Sequence, residues 1–340
     1  MSRPAGDPIS QLTGMSGGFD IVDEALAESV RRGLDQVELM LHDAVQSDFG
    51  FATETSLHLV DAGGKRFRPL FALLAAQFGD PDAELVTKSA AIVEMVHLAT
   101  LYHDDVMDEA TMRRGATSAN ARWDNSVAIL TGDFLFAQAS RLAADLGTEA
   151  VRHLASTFEA LVTGQMRETV GHGDEDAVEY YLKVIYEKTG SLIATAGRFG
   201  ALFSGAADAH VRALERIGRI LGTGFQISDD IIDIASPAAE SGKTPGTDLR
   251  EGVRTLPMLF ALADPATDPR LRELLSRPLS ADAEVAEALD LLRDSRGLVR
   301  ARETLDGYAD DARCELASLP DSPAREALSS LVDYVVARTR

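Results

Sequence analysis

Cysteine is almost absent from this 340-residue chain, in which Cys314 stands alone. That excludes a disulfide framework and a cysteine-built zinc centre, and the lone thiol fits a reducing cytoplasm. Aromatic residues make up only 6% of the sequence. Strand-like alternation is scarce too, which leaves little material for a β-sheet core. Positive charge is in deficit: 33 basic residues face 54 acidic ones, for a formal net charge of -21. A nucleic-acid partner is therefore not expected, nor is adhesion to anionic lipid by charge alone. No apolar run reaches the roughly 18 residues of a membrane span, because 126–139 is cut by Gly132-Asp133 and 191–207 carries Arg198. No transmembrane segment is expected. Residues 1–19 are rich in Gly, Pro and Ser without an apolar signal core, and they read as a disordered leader.

What the chain does have is apolar content, 45% of it hydrophobic with many Ala and Leu, arranged with helical spacing. This predicts an all-α protein in one large domain over 20–340. Helices are expected at 21–49, 53–61, 69–78, 83–108, 118–146, 149–171, 177–205, 209–234 and 255–262, and again from 281 to the end. The 83–108 segment is apolar nearly all round, which calls for a central position.

Two aspartate clusters of one design end two of these apolar helices: Asp104-Asp105-Val-Met-Asp108 and Asp229-Asp230-Ile-Ile-Asp233. Helical geometry puts Asp104 and Asp108 on one face about 6 Å apart along the axis, and likewise Asp229 and Asp233. Either cluster alone reads as a solvated helix end. A repeat of the same three-position pattern does not, because carboxylates inside apolar helices need a counter-charge. Hard divalent ions with oxygen ligands supply one. Magnesium suits best, since it keeps several waters and borrows ligands from a substrate phosphate. Two such faces opposed across a bundle would make a carboxylate-lined pocket.

Cations stand nearby in the sequence. Gly63-Gly64-Lys65-Arg66-Phe67-Arg68-Pro69 precedes His97, which is seven residues before Asp104 and so shares its face. Arg is suited to phosphate by its bidentate fork, so this group reads as a diphosphate cradle or, alternatively, as a solvated basic turn. Arg113 and Arg114 follow the first cluster. Lys188-Thr189 interrupts an apolar helix, where a buried ammonium needs a partner. Gln226 shares the face of Asp229 and Asp230; its amide either stabilises a cation or satisfies a neighbouring backbone group.

These motifs occur in the order found in the trans-type polyprenyl diphosphate synthases: Gly-Gly-Lys65-Arg66-x-Arg68-Pro, His97, Asp104-Asp105-x-x-Asp108 with Arg113-Arg114-Gly115, Lys188-Thr189, Phe225-Gln226-x-x-Asp229-Asp230-x-x-Asp233 and Gly242-Lys243-x-x-Gly246-x-Asp248. The chain resembles that family along nearly its whole length after residue 20. The resemblance implies a bundle of roughly a dozen helices around a central cavity, usually in a homodimer, and a Mg²⁺-dependent prenyltransferase of the long-chain type. On that resemblance Asp104, Asp108 and Asp229 bind magnesium, supported by Asp105, Asp230 and Asp233. Lys65, Arg68, His97 and Arg114 hold isopentenyl diphosphate; Arg113, Lys188 and Lys243 hold the allylic prenyl diphosphate; Thr189 and Gln226 face the developing carbocation. One departure is Val253, where many relatives carry a second Lys: that contact is either absent or supplied by Arg254.

Product length is expected to follow from Ala99 and Thr100, one turn before Asp104. Small side chains there leave a tunnel open, which in the resemblance goes with products of roughly heptaprenyl to decaprenyl size, used as quinone tails. The competing reading puts the floor at Phe134 or Phe136. Geranylgeranyl or farnesyl diphosphate synthesis, or a catalytically silent subunit of a heteromeric synthase, are the alternatives. A terpene cyclase would need neither the cradle nor a second identical cluster.

Overall fold

A computed structural model of the chain describes residues 19–235 and 245–339. The expected leader therefore lies outside the described residues except for Phe19, and so does Lys243.

The architecture is helical, as expected. Helix α1 spans Glu24–Ala44, started by Asp23, whose carboxylate accepts from the Leu26 amide at 2.8 Å. Helix α2 (Gly50–Asp61) ends just before Gly63-Gly64, α3 covers Phe67–Ala76 and α4 covers Glu84–Met107. A two-stranded antiparallel ribbon follows, β1 (Met112–Arg113) on β2 (Ala116–Thr117), with Arg113 opposite Ala116. Its turn residues Arg114 and Gly115 have φ of 53° and 78°, the sign that a tight two-residue hairpin demands. Sequence periodicity gave no hint of this ribbon. The expected 118–146 helix is broken into α5 (Ala119–Arg122) and α6 (Asn125–Leu146), because extended Asp124 caps the second piece through the Val127 amide.

Helix α7 is Thr148–Val170, and α8 (Ala177–Ile185) runs into a π-helical turn, Tyr186–Gly190, before α9 (Ser191–Phe203). Helix α10 is Asp208–Ala235 and carries the second aspartate cluster. The rest comprises α11 (Thr247–Glu251), α12 (Leu256–Ala263), α13 (Pro269–Leu274), α14 (Asp282–Arg293), α15 (Arg296–Leu316) and α16 (Pro323–Ala337). Ser295 ends the run of α14 and caps α15.

The described residues fall into two compact units that interleave along the chain. The first takes the described residues of Met1–Glu159 with Leu192–Gly218 and Ser318–Ser330; the second takes those of Ala160–Ser191, Arg219–Ala317 and Leu331–Arg340. In the first, α4 is buried along most of its length and packs most extensively on α6. Gly132 allows that approach: a Cβ there would stand 3.0 Å from the Ala99 carbonyl oxygen. Helix α4 is the one helix among the described residues long and apolar enough to cross a membrane, with a window hydropathy of 1.2, and 72% of that window is buried within the protein. It also carries the buried carboxylates Glu94 and Asp105, as a core helix can when partners are supplied. In the second unit, α11 to α14 enclose a core that includes Leu249, Met258, Leu271, Leu279 and Leu292, and α12 lies against α15.

Candidate active site

The first unit gathers most of the cationic residues picked out by sequence, and one of them turns out differently. Arg66 does not face solvent with Lys65. It is the left-handed residue (φ 46°) that starts α3, and its side chain is only 5% exposed. Its Nη1 donates to Glu94 Oε1 at 2.9 Å, and its Nε and Nη2 donate to Glu38. Arg66 is thus a structural strut, held in a left-handed conformation uncommon for a non-glycine residue.

Glu94, which the sequence reading passed over, organises the group. It is buried at 1% exposure, and Arg114 Nη2 lies 3.7 Å from the same Oε1 that Arg66 holds. Arg114 also donates to the carbonyl oxygens of Gly63 and Leu59. Arg68 has its Nε buried without a hydrogen-bond partner. Burial, opposed by Glu94 and reinforced by Arg114, brings the Arg68 guanidinium down to about 10. The His97 imidazole is pushed well below its usual range by burial and then by Arg68 and Arg114. Two guanidiniums beside a neutral imidazole, one of them with an unanswered buried donor, are a donor set chemically suited to an anion. Lys65 is exposed.

The first aspartate cluster closes α4 as expected. Asp104 is half-buried and near enough to favour the charged form of Arg68. Asp105 is fully buried; Oδ1 accepts from Arg113 Nε at 2.5 Å, while Oδ2 is buried without a partner. Burial raises its affinity for a proton, and Arg113 works against that rise. Asp108 is exposed at the C-cap, with Arg113 Nη2 3.9 Å away. Arg113 thus pairs with the carboxylates of the cluster. Ala99 is buried in the α4–α6 contact, and the Thr100 hydroxyl donates to the His97 carbonyl at 2.8 Å. Phe136 stacks on Phe158, with ring centroids 3.8 Å apart.

The second unit holds the rest. Lys188 is not deeply buried: it stands 28% exposed in the π turn and its Nζ pairs with Glu168. The extra residue of such a turn commonly marks a functional position. Thr189 Oγ1 donates to Gln226 Oε1 at 3.4 Å, and Gln226 Nε2 donates to Asp230 Oδ1 at 3.1 Å. The other oxygen of Asp230 accepts from the Tyr181 hydroxyl. Burial, followed by the nearby Asp248, holds Asp230 well above the ordinary carboxylate range. Thr189, Gln226, Asp230 and Tyr181 thus form one hydrogen-bonded chain. Asp233 accepts from the Thr247 and Asp248 amides, at 3.3 and 3.4 Å, at the start of α11. Asp229 is ion-paired with Arg338. Arg254 is exposed.

Among the described residues no three His, Cys, Asp or Glu side chains converge at metal-ligating distance. Arginines pair with one carboxylate of each cluster, Arg113 with Asp105 and Arg338 with Asp229. The donor set still fits a divalent ion. It is built of carboxylate oxygens, as hard ions require, and Asp105 Oδ2 is a buried acceptor left without a donor. Tyr181, Glu168, Glu94 and Arg338 were missed by the sequence reading. Only Glu94 had a signal, as a lone carboxylate within an apolar helix.

A protein-family model described as polyprenyl synthetase matches residues 51–292. Nonaprenyl diphosphate synthase of Mycobacterium tuberculosis is 58% identical over 324 residues, covering 94% of this chain and 97% of that protein. Geranylgeranyl pyrophosphate synthase from Corynebacterium glutamicum, solved with calcium and isoprenyl diphosphate, superposes with a TM-score of 0.85 at 52% identity, covering 94% of this chain and 99% of that one. A decaprenyl diphosphate synthase structure from Rhodobacter capsulatus gives a TM-score of 0.85 at 35% identity, covering 93% and 99%.

Proposed function

The chain belongs to the polyprenyl synthetase family, and from that premise we propose that it extends an allylic prenyl diphosphate by successive head-to-tail condensation with isopentenyl diphosphate. The product is an all-trans prenyl diphosphate of heptaprenyl to decaprenyl size, suited to a quinone side chain. The observation that carries this reading is the cradle of Arg68, Arg114 and neutral His97 beside Asp104, a site for a diphosphate next to a site for its counter-ion.

Arg68 and Arg114 bind the diphosphate of isopentenyl diphosphate by charge and by directed N–H donors, together with Lys65. His97, kept uncharged, contributes a hydrogen bond without adding a cation. In the second unit Lys188 takes the allylic diphosphate, exchanging Glu168 for phosphate oxygens, and Arg113 and Lys243 are proposed for the same partner. The allylic C–O bond breaks, the carbocation is attacked by the isopentenyl double bond, and a proton is lost. The departing diphosphate takes that proton, so no protein base is required. Thr189 and Gln226 present polar oxygens to the cation, and the Gln226 amide is oriented by Asp230. The reaction requires an apolar cavity that shields the cation from water.

Asp104, Asp108 and Asp229 are the proposed ligands of magnesium, with Asp105, Asp230 and Asp233 in support. When bound, a divalent ion supplies charge neutralisation on the leaving diphosphate. Magnesium is preferred for the all-oxygen donor set. We also assign a homodimer, supported by the exposed apolar side chains Ile129 and Leu130 on α6. A cytoplasmic location is proposed with it, supported by the single thiol.

A shorter geranylgeranyl product is the second reading, favoured by the 52% identity to the Corynebacterium enzyme. One assay decides: purified protein, magnesium, farnesyl diphosphate and labelled isopentenyl diphosphate, with products separated by chain length. Label in chains of seven to ten isoprene units supports the proposal, and label stopping at four units supports the shorter product. No incorporation points to a silent subunit that needs a partner chain.

A further inference from the structure

Arg338 belongs to none of the sequence motifs, yet it is the residue that holds Asp229. Its Nη2 donates to Asp229 Oδ1, and its guanidinium lies 4.4 Å from the ring centroid of Phe225 and 6.0 Å from that of Tyr334. Phe225 and Asp229 are one turn apart on α10, so the aromatic face and the carboxylate meet the guanidinium together. The backbone amide of Arg338 bonds to the Tyr334 carbonyl at 3.2 Å, which continues the turn of α16 and fixes the approach. The side chain is 14% exposed, and its Nη1 is buried without a hydrogen-bond partner. Both the stacking and the ion pair hold a permanent positive charge against Asp229 Oδ1.

We propose that Arg338 is the built-in counter-cation of the second aspartate cluster: it neutralises Asp229 while no divalent ion is bound there, and competes with that ion for the carboxylate. This rests on the proposed role of Asp229 as a metal ligand. Without such a cation Asp229 would stand in an acidic cluster, with Asp230 next to it in sequence and Asp248 near that residue. With it, the ion must displace a charge-assisted hydrogen bond, so affinity for the metal in the free protein is set lower than three carboxylates alone would give.

The test uses the full-length, substrate-free protein and manganese, whose free-ion electron paramagnetic resonance signal disappears on binding. Arg338→Gln is expected to bind manganese at the Asp229-dependent site roughly tenfold more tightly than wild type, the worth of one charged hydrogen bond. Arg338→Lys should return to near wild-type affinity. Arg338→Met, which keeps apolar contact with Phe225 and Tyr334, should match the glutamine variant and guards against a folding defect, checked by circular dichroism. Unchanged or weaker binding in both neutral variants overturns the proposal and makes Arg338 a strut that positions Asp229. Asp229→Asn, with Arg338 intact, reads the underlying assignment separately: loss of one bound ion upholds it. Wild-type stoichiometry there removes the metal role of Asp229 and the proposal with it.

Discussion

The guanidinium of Arg114 lies against the backbone of Gly64, so close that a Cβ at that glycine would stand 2.7 Å from Arg114 Cζ. Gly64 also has a φ of +145°, and Arg114 itself is left-handed at 53°. Two segments far apart in sequence thus depend on each other to place one cation. Gly64→Ala is expected to cost about 1–3 kcal/mol of stability. It should also raise the KM for isopentenyl diphosphate about tenfold with a smaller change in kcat, because Arg114 is pushed off the cradle. Steady-state kinetics with each substrate varied in turn checks this; an effect confined to the allylic substrate would contradict the assignment.

Arg66 and Glu94 make a second testable pair. Both are buried, and removing one leaves the other charge poorly compensated. Arg66→Met should lower unfolding free energy by about 3 kcal/mol, read from urea denaturation. A loss under about 0.5 kcal/mol, the range of an unremarkable surface change, would mean that Glu94 is satisfied by Arg114 alone.

His97 should stay neutral across the physiological range. Its C2 proton in an NMR titration is expected to show no midpoint near 6.5, since burial and Arg68 hold its value well below that. The sign for stability follows. A His whose folded pKa is depressed leaves the unfolded chain binding more protons. Its contribution is therefore whole above about pH 6.5 and lost as pH falls through the folded value. His97→Ala should mainly raise the KM for isopentenyl diphosphate.

Asp104→Asn and Asp229→Asn should each lower kcat by at least about a hundredfold, the scale of losing one electrostatic stabiliser. The fold should survive. Circular dichroism spectra superposing on wild type, together with lost turnover, are the expected pair of results; near-normal turnover from either variant would remove it from the metal-binding set.

Ala99→Phe should shorten the product. Ala99 is buried, its carbonyl facing Gly132 of α6, so a benzyl group there must displace its neighbours. Chromatography of the prenyl products is the readout. An unchanged distribution would move the floor elsewhere, toward Phe134 or the stacked Phe136–Phe158 pair.

Much of this was legible in the sequence, and for physical reasons. An apolar helix ending in Asp104-Asp105-x-x-Asp108 advertises its burial and the carboxylates at its end, because periodicity and charge are local properties. The clustering of Arg68, His97 and Arg114 needed the family resemblance to be seen, since α3, α4 and the β-hairpin are separate in sequence. Arg66 was misplaced: the sequence shows three cations in four residues, but only a left-handed residue tells which one turns inward. Tyr181 and Arg338 gave no signal, because their partners Asp230 and Asp229 lie 49 and 109 residues away. The breaks at Asp124 and Ser295 were written in the sequence as good helix caps, and apolar spacing running through them hid it.

The π turn at Tyr186–Gly190 has a consequence for how this stretch tolerates change. It holds one residue more than a regular turn, and each residue advances a helix by about 100°. Loss of a single residue anywhere in Tyr-Glu-Lys-Thr-Gly would let α8 run smoothly into α9 and swing Lys188 and Thr189 away from Glu168 and Gln226. The length of this five-residue segment is thus fixed by register as firmly as its side chains are by chemistry.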